Sequence, residues 1–90
     1  MRCVALKSAA IARSTDRAHL VQADVRYTTL GGGEFFRSMA FWVPDWACAV
    51  VDGEVRVDAT ILERKESVDI PRDLKREGVL GVRRVEVLTR

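Results

Sequence analysis

The chain is poor in the side chains from which chemistry is usually built. Its 90 residues hold one histidine, His19, and two cysteines, Cys3 and Cys48. These cannot make any standard zinc spacing, so no metal site is expected. The cysteines read as two small buried hydrophobes, with a Cys3–Cys48 disulfide as the alternative. No apolar run approaches the roughly 18–20 residues needed to cross a bilayer. The opening MRCVALKSAAIARS begins like a secretion signal, but Lys7 interrupts its apolar stretch, and a cytoplasmic protein is expected. Neither sign of charge dominates, since 15 basic against 13 acidic residues leave a net +2, too little to identify a nucleic-acid protein. His19 reads as a surface residue, and no serine or cysteine shows a base partner in sequence. Neither catalysis nor a cofactor is expected.

What is present is the writing of a small β-rich domain. Ninety residues make a single domain with a thin core, and self-association would help it. The clearest stretch runs from Trp46 to Arg64. Asp52-Gly53 between two runs of β-formers predicts a type I′ hairpin turn. After that turn Val55, Val57, Ala59 and Ile61 fall on one face of a strand, and Arg56, Asp58, Thr60 and Arg64 on the other.

Three further strands precede the hairpin. Residues Cys3 to Arg13 read as a first strand, although Ser8-Ala9-Ala10 would also start a helical turn. Ser14-Thr15-Asp16 is a polar break. Ala18 to Thr29 alternates, with Val21, Ala23, Val25 and Tyr27 on one face. Gly31-Gly32-Gly33 has neither the GxxxxGK[ST] nor the GxGxxG pattern of a phosphate loop and reads as a hairpin connection. Glu34 to Val43 is the aromatic strand, with Phe35, Arg37, Met39, Phe41 and Val43 on one face and Phe36, Ser38, Ala40 and Trp42 on the other. Apolar side chains on both faces predict a strand covered on both sides or one that enters an interface. A second reading has Tyr27, Phe36 and Trp42 stacking on bases beside Arg26 and Arg37.

The last third carries a helix signal and a basic bias. Pro71 opens a short helix over Arg72–Glu77, Gly78 stops it, and Arg83 to Leu88 forms the last strand with Val85 and Val87 inward. The expected class is mainly β with one short helix (α+β), a small antiparallel β-barrel or β-sandwich-like domain in the order β-β-β-β-β-α-β. From Arg72 to Arg90 the basic residues outnumber the acidic six to three, and twelve of the fifteen basic residues of the chain are arginine.

Ile70-Pro71, Leu74, Gly81 and Val85-Glu86-Val87 follow one another as they do in the AbrB/SpoVT family of swapped-hairpin DNA-binding proteins, which this segment resembles over about twenty residues. The resemblance implies an intertwined homodimer that binds DNA as a transcription regulator or antitoxin. It implies DNA contacts from basic residues in loops and strands, and by position Arg64, Lys65, Arg72, Lys75 and Arg76 are the candidates. The other reading is a protein-interaction module, or an accessory subunit of a larger assembly, that uses Phe36, Trp42 and Trp46 as its contact surface. An OB-like barrel stands between the two.

Overall fold

The computed structural model of the protein describes residues 1–65 and 81–90. Among these residues two antiparallel sheets and one short helix share a single hydrophobic core. The elements are β1 (Cys3–Ala5), β2 (Ala10–Ser14), β3 (Ala18–Thr29), β4 (Glu34–Pro44), a 3₁₀ turn (Asp45–Ala47), β5 (Cys48–Val51), β6 (Glu54–Asp58), α1 (Ala59–Lys65) and β7 (Val82–Val87). The small sheet runs β1-β6-β5. The larger one is built on β3, with β4 along its whole length on one side. On the other side β2 pairs with its first half and β7 with its second. The fold is mainly β with a short helix, as expected, and its two sheets remain open rather than closing into a barrel.

The alternation on β3 and β4 does what period-2 patterning should. Val21, Ala23, Val25 and Tyr27 are all buried, and they share the core with Val43 from β4, Val87 from β7 and Val55 and Val57 from β6. Asp52 and Gly53 take φ of 51° and 77°, the paired left-handed conformation of a type I′ turn. Between β3 and β4 the glycine triplet is indeed a hairpin connection. There the Gly33 N–H donates to Thr29 Oγ1 (2.9 Å), and Gly32 adopts φ 89°.

Two expectations need correction. The stretch Cys3–Arg13 is two strands in different sheets, not one. Ser8 at φ 53° breaks it, and the Leu6 N–H donates to Val55 O while the Lys7 N–H donates to Leu88 O, so the chain changes sheets there. The strand expected to run through Ile61 to Arg64 ends at Asp58 and becomes α1. Asp58 is buried rather than in water, and its Oδ1 accepts the Thr60 N–H (3.1 Å), the contact of a helix N-cap. Ile61 and Leu62, adjacent in sequence, both reach the core, which a helix permits and a strand does not. The helix expected over Arg72–Glu77 lies outside the described residues. Among the described residues, no helix is long and apolar enough to cross a membrane.

Candidate functional site

The candidate site is the outer face of β4 and its edge away from β3, which is unpaired among the described residues. Because Met39, Phe41 and Val43 face inward, the parity of the strand turns Phe36, Ser38, Ala40 and Trp42 outward. Phe36 is 53% exposed and Trp42 42%, and Trp46 on the 3₁₀ turn is 63% exposed. Phe36 and Trp42 stand six residues apart, about 20 Å along a strand. Only Ser38 and Ala40 lie between them on that face of β4. Leu20 is opposite Trp42 and Arg26 is opposite Phe36 on β3. Gln22 Nε2 donates to Ser38 Oγ (3.1 Å) in the space between.

The charges beside Phe36 answer one another. Glu86 on β7 accepts from Arg26 and, through its second oxygen, from Arg84 (3.0 Å). The same hydrogen bond and charge hold the Arg26 guanidinium above its ordinary pKa. Lys7, Arg26, Phe36 and Glu86, with Val87, Leu88 and Thr89, line a polar cleft of about 400 Å³. On the inner side of the same strand Val25, Met39, Phe41, Val85 and Val87, with Ala40 and Trp42, line an apolar groove of about 270 Å³.

The base-stacking set does not assemble as expected. Tyr27 is buried, with its hydroxyl donating to Met39 Sδ. Arg37 is on the inner face, half-buried, and its Nη1 donates to the Phe36 carbonyl (2.8 Å). Phe36, Trp42 and Arg26 remain on the outer face. Of the residues expected to contact DNA, Arg64 is exposed near the end of α1 and Lys65 ends that helix, while Arg72, Lys75 and Arg76 lie outside the described residues.

One constellation was missed in the sequence. His19 is bonded through Nδ1 to Ser14 Oγ (2.7 Å) and through Nε2 to Asp45 Oδ1 (2.7 Å). Ser14 is directly across from His19 on β2, and Asp45 follows the end of β4, so the chain of bonds ties the β2–β3 hairpin to the 3₁₀ turn. Serine, histidine and aspartate in that order suggest a hydrolase, but the ring is reversed. A catalytic triad offers Nε2 to the serine and Nδ1 to the carboxylate. Ser14 is exposed, the Asp45 side chain is 64% exposed, and neither cleft is lined by any of the three. The arrangement acts as a brace. Polar residues five apart across a turn are a faint signal for Ser14–His19, whereas Asp45 could be found only from the β3–β4 register.

The cysteines are settled by register. Cys3 on β1 is opposite Asp58 and Cys48 on β5 is opposite Val57, with β6 between them. Two strand spacings separate them by about 10 Å, beyond the roughly 7 Å limit for a disulfide. Both are free thiols. Cys3 is exposed rather than buried. Cys48 is half-buried, and burial, with Asp45 nearby, pushes its thiol pKa up. Among the described residues, no three histidine, cysteine or acidic side chains converge to hold a metal ion. No family model, curated protein or solved structure matches the chain.

Proposed function

We propose that this chain is a non-catalytic protein-interaction module that engages its partner through the aromatic stretch around β4. The observation that carries this reading is the exposure of Phe36, Trp42 and Trp46 along one strand and the turn that follows it. Large aromatics, tryptophan above all, supply most of the binding energy in protein interfaces, and a domain this small has little reason to leave three in water. The neighbouring arginines are committed to Glu86, which suits a polar rim better than a phosphate track.

The chain's two tryptophans are Trp42 and Trp46, so its intrinsic fluorescence reads this surface directly. The test places a photo-crosslinker at the exposed Ala49, three residues after Trp46, in the full chain, in its native cell, so that Phe36, Trp42 and Trp46 are all kept, and identifies what it captures. A single stoichiometric protein partner is expected. Its purified complex should blue-shift the emission and lose at least about 30-fold in affinity on Trp46→Ala. The competing reading is the dimeric DNA-binding regulator, with Arg64, Lys65, Arg72, Lys75 and Arg76 on phosphates. Fluorescence anisotropy with labelled duplex DNA decides it. Binding that weakens steeply with salt and is lost on Arg72→Ala with Arg76→Ala would replace the proposal.

A further inference from the structure

The edge of β4 that faces away from β3 is unpaired among the described residues and eleven residues long. Its pairing with β3 is regular from Thr28–Glu34 to Ala18–Pro44, without a bulge. Proteins usually blunt such an edge with lysines, bulges or an internal proline. β4 has no lysine, bulge or internal proline, since Pro44 is its last residue, and its charges are Glu34 at its start and Arg37 on the inner face.

The phase of the ladder shows which groups face outward. The Thr29 N–H donates to Gly33 O and the Asp45 N–H to Arg17 O, both at 2.8 Å. Residues in an antiparallel pair alternate between bonding across the ladder and bonding away from it. The odd-numbered residues of β4 therefore bond to β3. The even-numbered ones, Glu34, Phe36, Ser38, Ala40 and Trp42, direct N–H and C=O to the free edge. Arg37 Nη1 on the Phe36 carbonyl agrees with this phase, and a carbonyl can accept a second bond.

We infer that this edge pairs with the β4 edge of a second copy of the chain, antiparallel about a two-fold axis at Met39. The inference rests on the reading of β4 as an interaction surface and names its occupant. A two-fold that keeps both cores on the same side of the joined sheet must pair even residues with even. Centred on Met39, it uses the full strand and sets Phe36 against Trp42 of the second copy, twice, with Ser38 against Ala40 between them. Moving the axis by one residue sets Phe36 against Ala40 or Pro44 instead and leaves part of the strand unpaired. Aromatic cross-strand pairs stabilise a sheet, and like charges opposite one another destabilise it. The two charges of β4 are compatible with this register, because Glu34 faces Pro44 and Arg37 faces Phe41, whose ring suits a guanidinium.

The size of the contact sets its strength. Phe36 and Trp42 are each about half exposed, so they offer roughly 100 Å² apiece of the ~150–250 Å² an aromatic can bury. Four such rings come to about 400 Å², and the backbone edge with its flanking side chains contributes about as much again, so at most about 800 Å² is buried, below the ~1,200 Å² of a standard stable interface and within the range of weak, transient ones. A reversible dimer is the result.

Sedimentation of the full chain from micromolar to near-millimolar concentration tests the inference. A monomer–dimer equilibrium is expected, with tryptophan emission shifting blue as the dimer forms. Ser38→Pro removes an N–H that β3 does not use, so it should give a monomer with unchanged far-UV circular dichroism. Phe36→Lys and Trp42→Glu should each weaken self-association at least about 30-fold. An equimolar mixture of those two variants should associate again, because this register alone sets the lysine against the glutamate. A wild-type monomer at every concentration overturns the inference, as does a dimer indifferent to Ser38→Pro or a mixture that fails to associate. A monomer that still captures a Trp46-dependent partner overturns the self-pairing alone. Capture indifferent to Trp46→Ala defeats the interaction reading whatever the oligomeric state.

Discussion

Asp58 carries a prediction that tests the least expected element of the fold. Its carboxylate accepts the Thr60 N–H at the start of α1, and it is buried beneath that turn. Removing an N-cap costs about 1 kcal/mol, because an N–H of the first helical turn is left without an acceptor. In a domain of this length 1 kcal/mol corresponds to roughly 4–8 °C in Tm. Asp58→Ala should therefore lower Tm by about that much. Asp58→Asn keeps an acceptor oxygen at the same place and ranks with aspartate as a cap, so it should remain within a degree or two of wild type. Thermal unfolding followed by far-UV circular dichroism measures both. If Asp58→Ala unfolds with wild type, or Asp58→Asn falls as far as Asp58→Ala, the carboxylate is not acting as a cap and the account of α1 is wrong.

Three further outcomes are expected. Gly53→Ala should cost about 1 kcal/mol in urea unfolding, since φ 77° suits glycine and strains a Cβ; an unchanged midpoint would refute the type I′ assignment. Iodoacetamide should label the exposed Cys3 before Cys48 near neutral pH. With its pKa raised by burial, Cys48 holds less thiolate and gains reactivity only at higher pH, and a disulfide-linked peptide in the digest would contradict the register. Ser14 should not react with a fluorophosphonate probe, and Ser14-dependent labelling would overturn the reading of Ser14–His19–Asp45 as a brace.

The parts of the fold legible in the sequence are those where one local rule acted alone. β3 alternates because one face meets the core along its whole length, and Asp52-Gly53 has one favoured geometry. α1 was hidden because Val55, Val57, Ala59 and Ile61 continue an alternation that the helix has already abandoned. The contrary signals were Asp58 as a cap and the adjacent pair Ile61-Leu62, which no half-buried strand accommodates. The break at Ser8 was equally hard to see, since a non-glycine residue adopts the left-handed conformation there. Sheet membership was not legible at all, being decided by contacts such as Leu6 with Val55 and Lys7 with Leu88. The same limit applied to the site. Parity separated Phe36 and Trp42 from Phe35 and Phe41, but both faces are apolar in sequence. Only the burial of Tyr27 and Val43 shows which one is left in water.

Electrostatics bears on what such a face can hold. A nucleic-acid strand lying from Phe36 to Trp42 would cross about 20 Å of sheet surface. Its affinity would depend on cations along that path, because phosphate neutralisation dominates such binding. The path passes Ser38, Ala40, Gln22 and Asp24, and the arginines at its Phe36 end share the carboxylate of Glu86. An extended polypeptide makes the opposite demand. It needs main-chain donors and acceptors in register, small side chains at the centre and apolar anchors at the ends. Ser38 and Ala40 between Phe36 and Trp42, on a strand whose even-numbered backbone groups point away from β3, supply those features together. In the proposed contact the charges near Phe36 would form the rim, where paired ions cost little and exclude partners of the wrong sign.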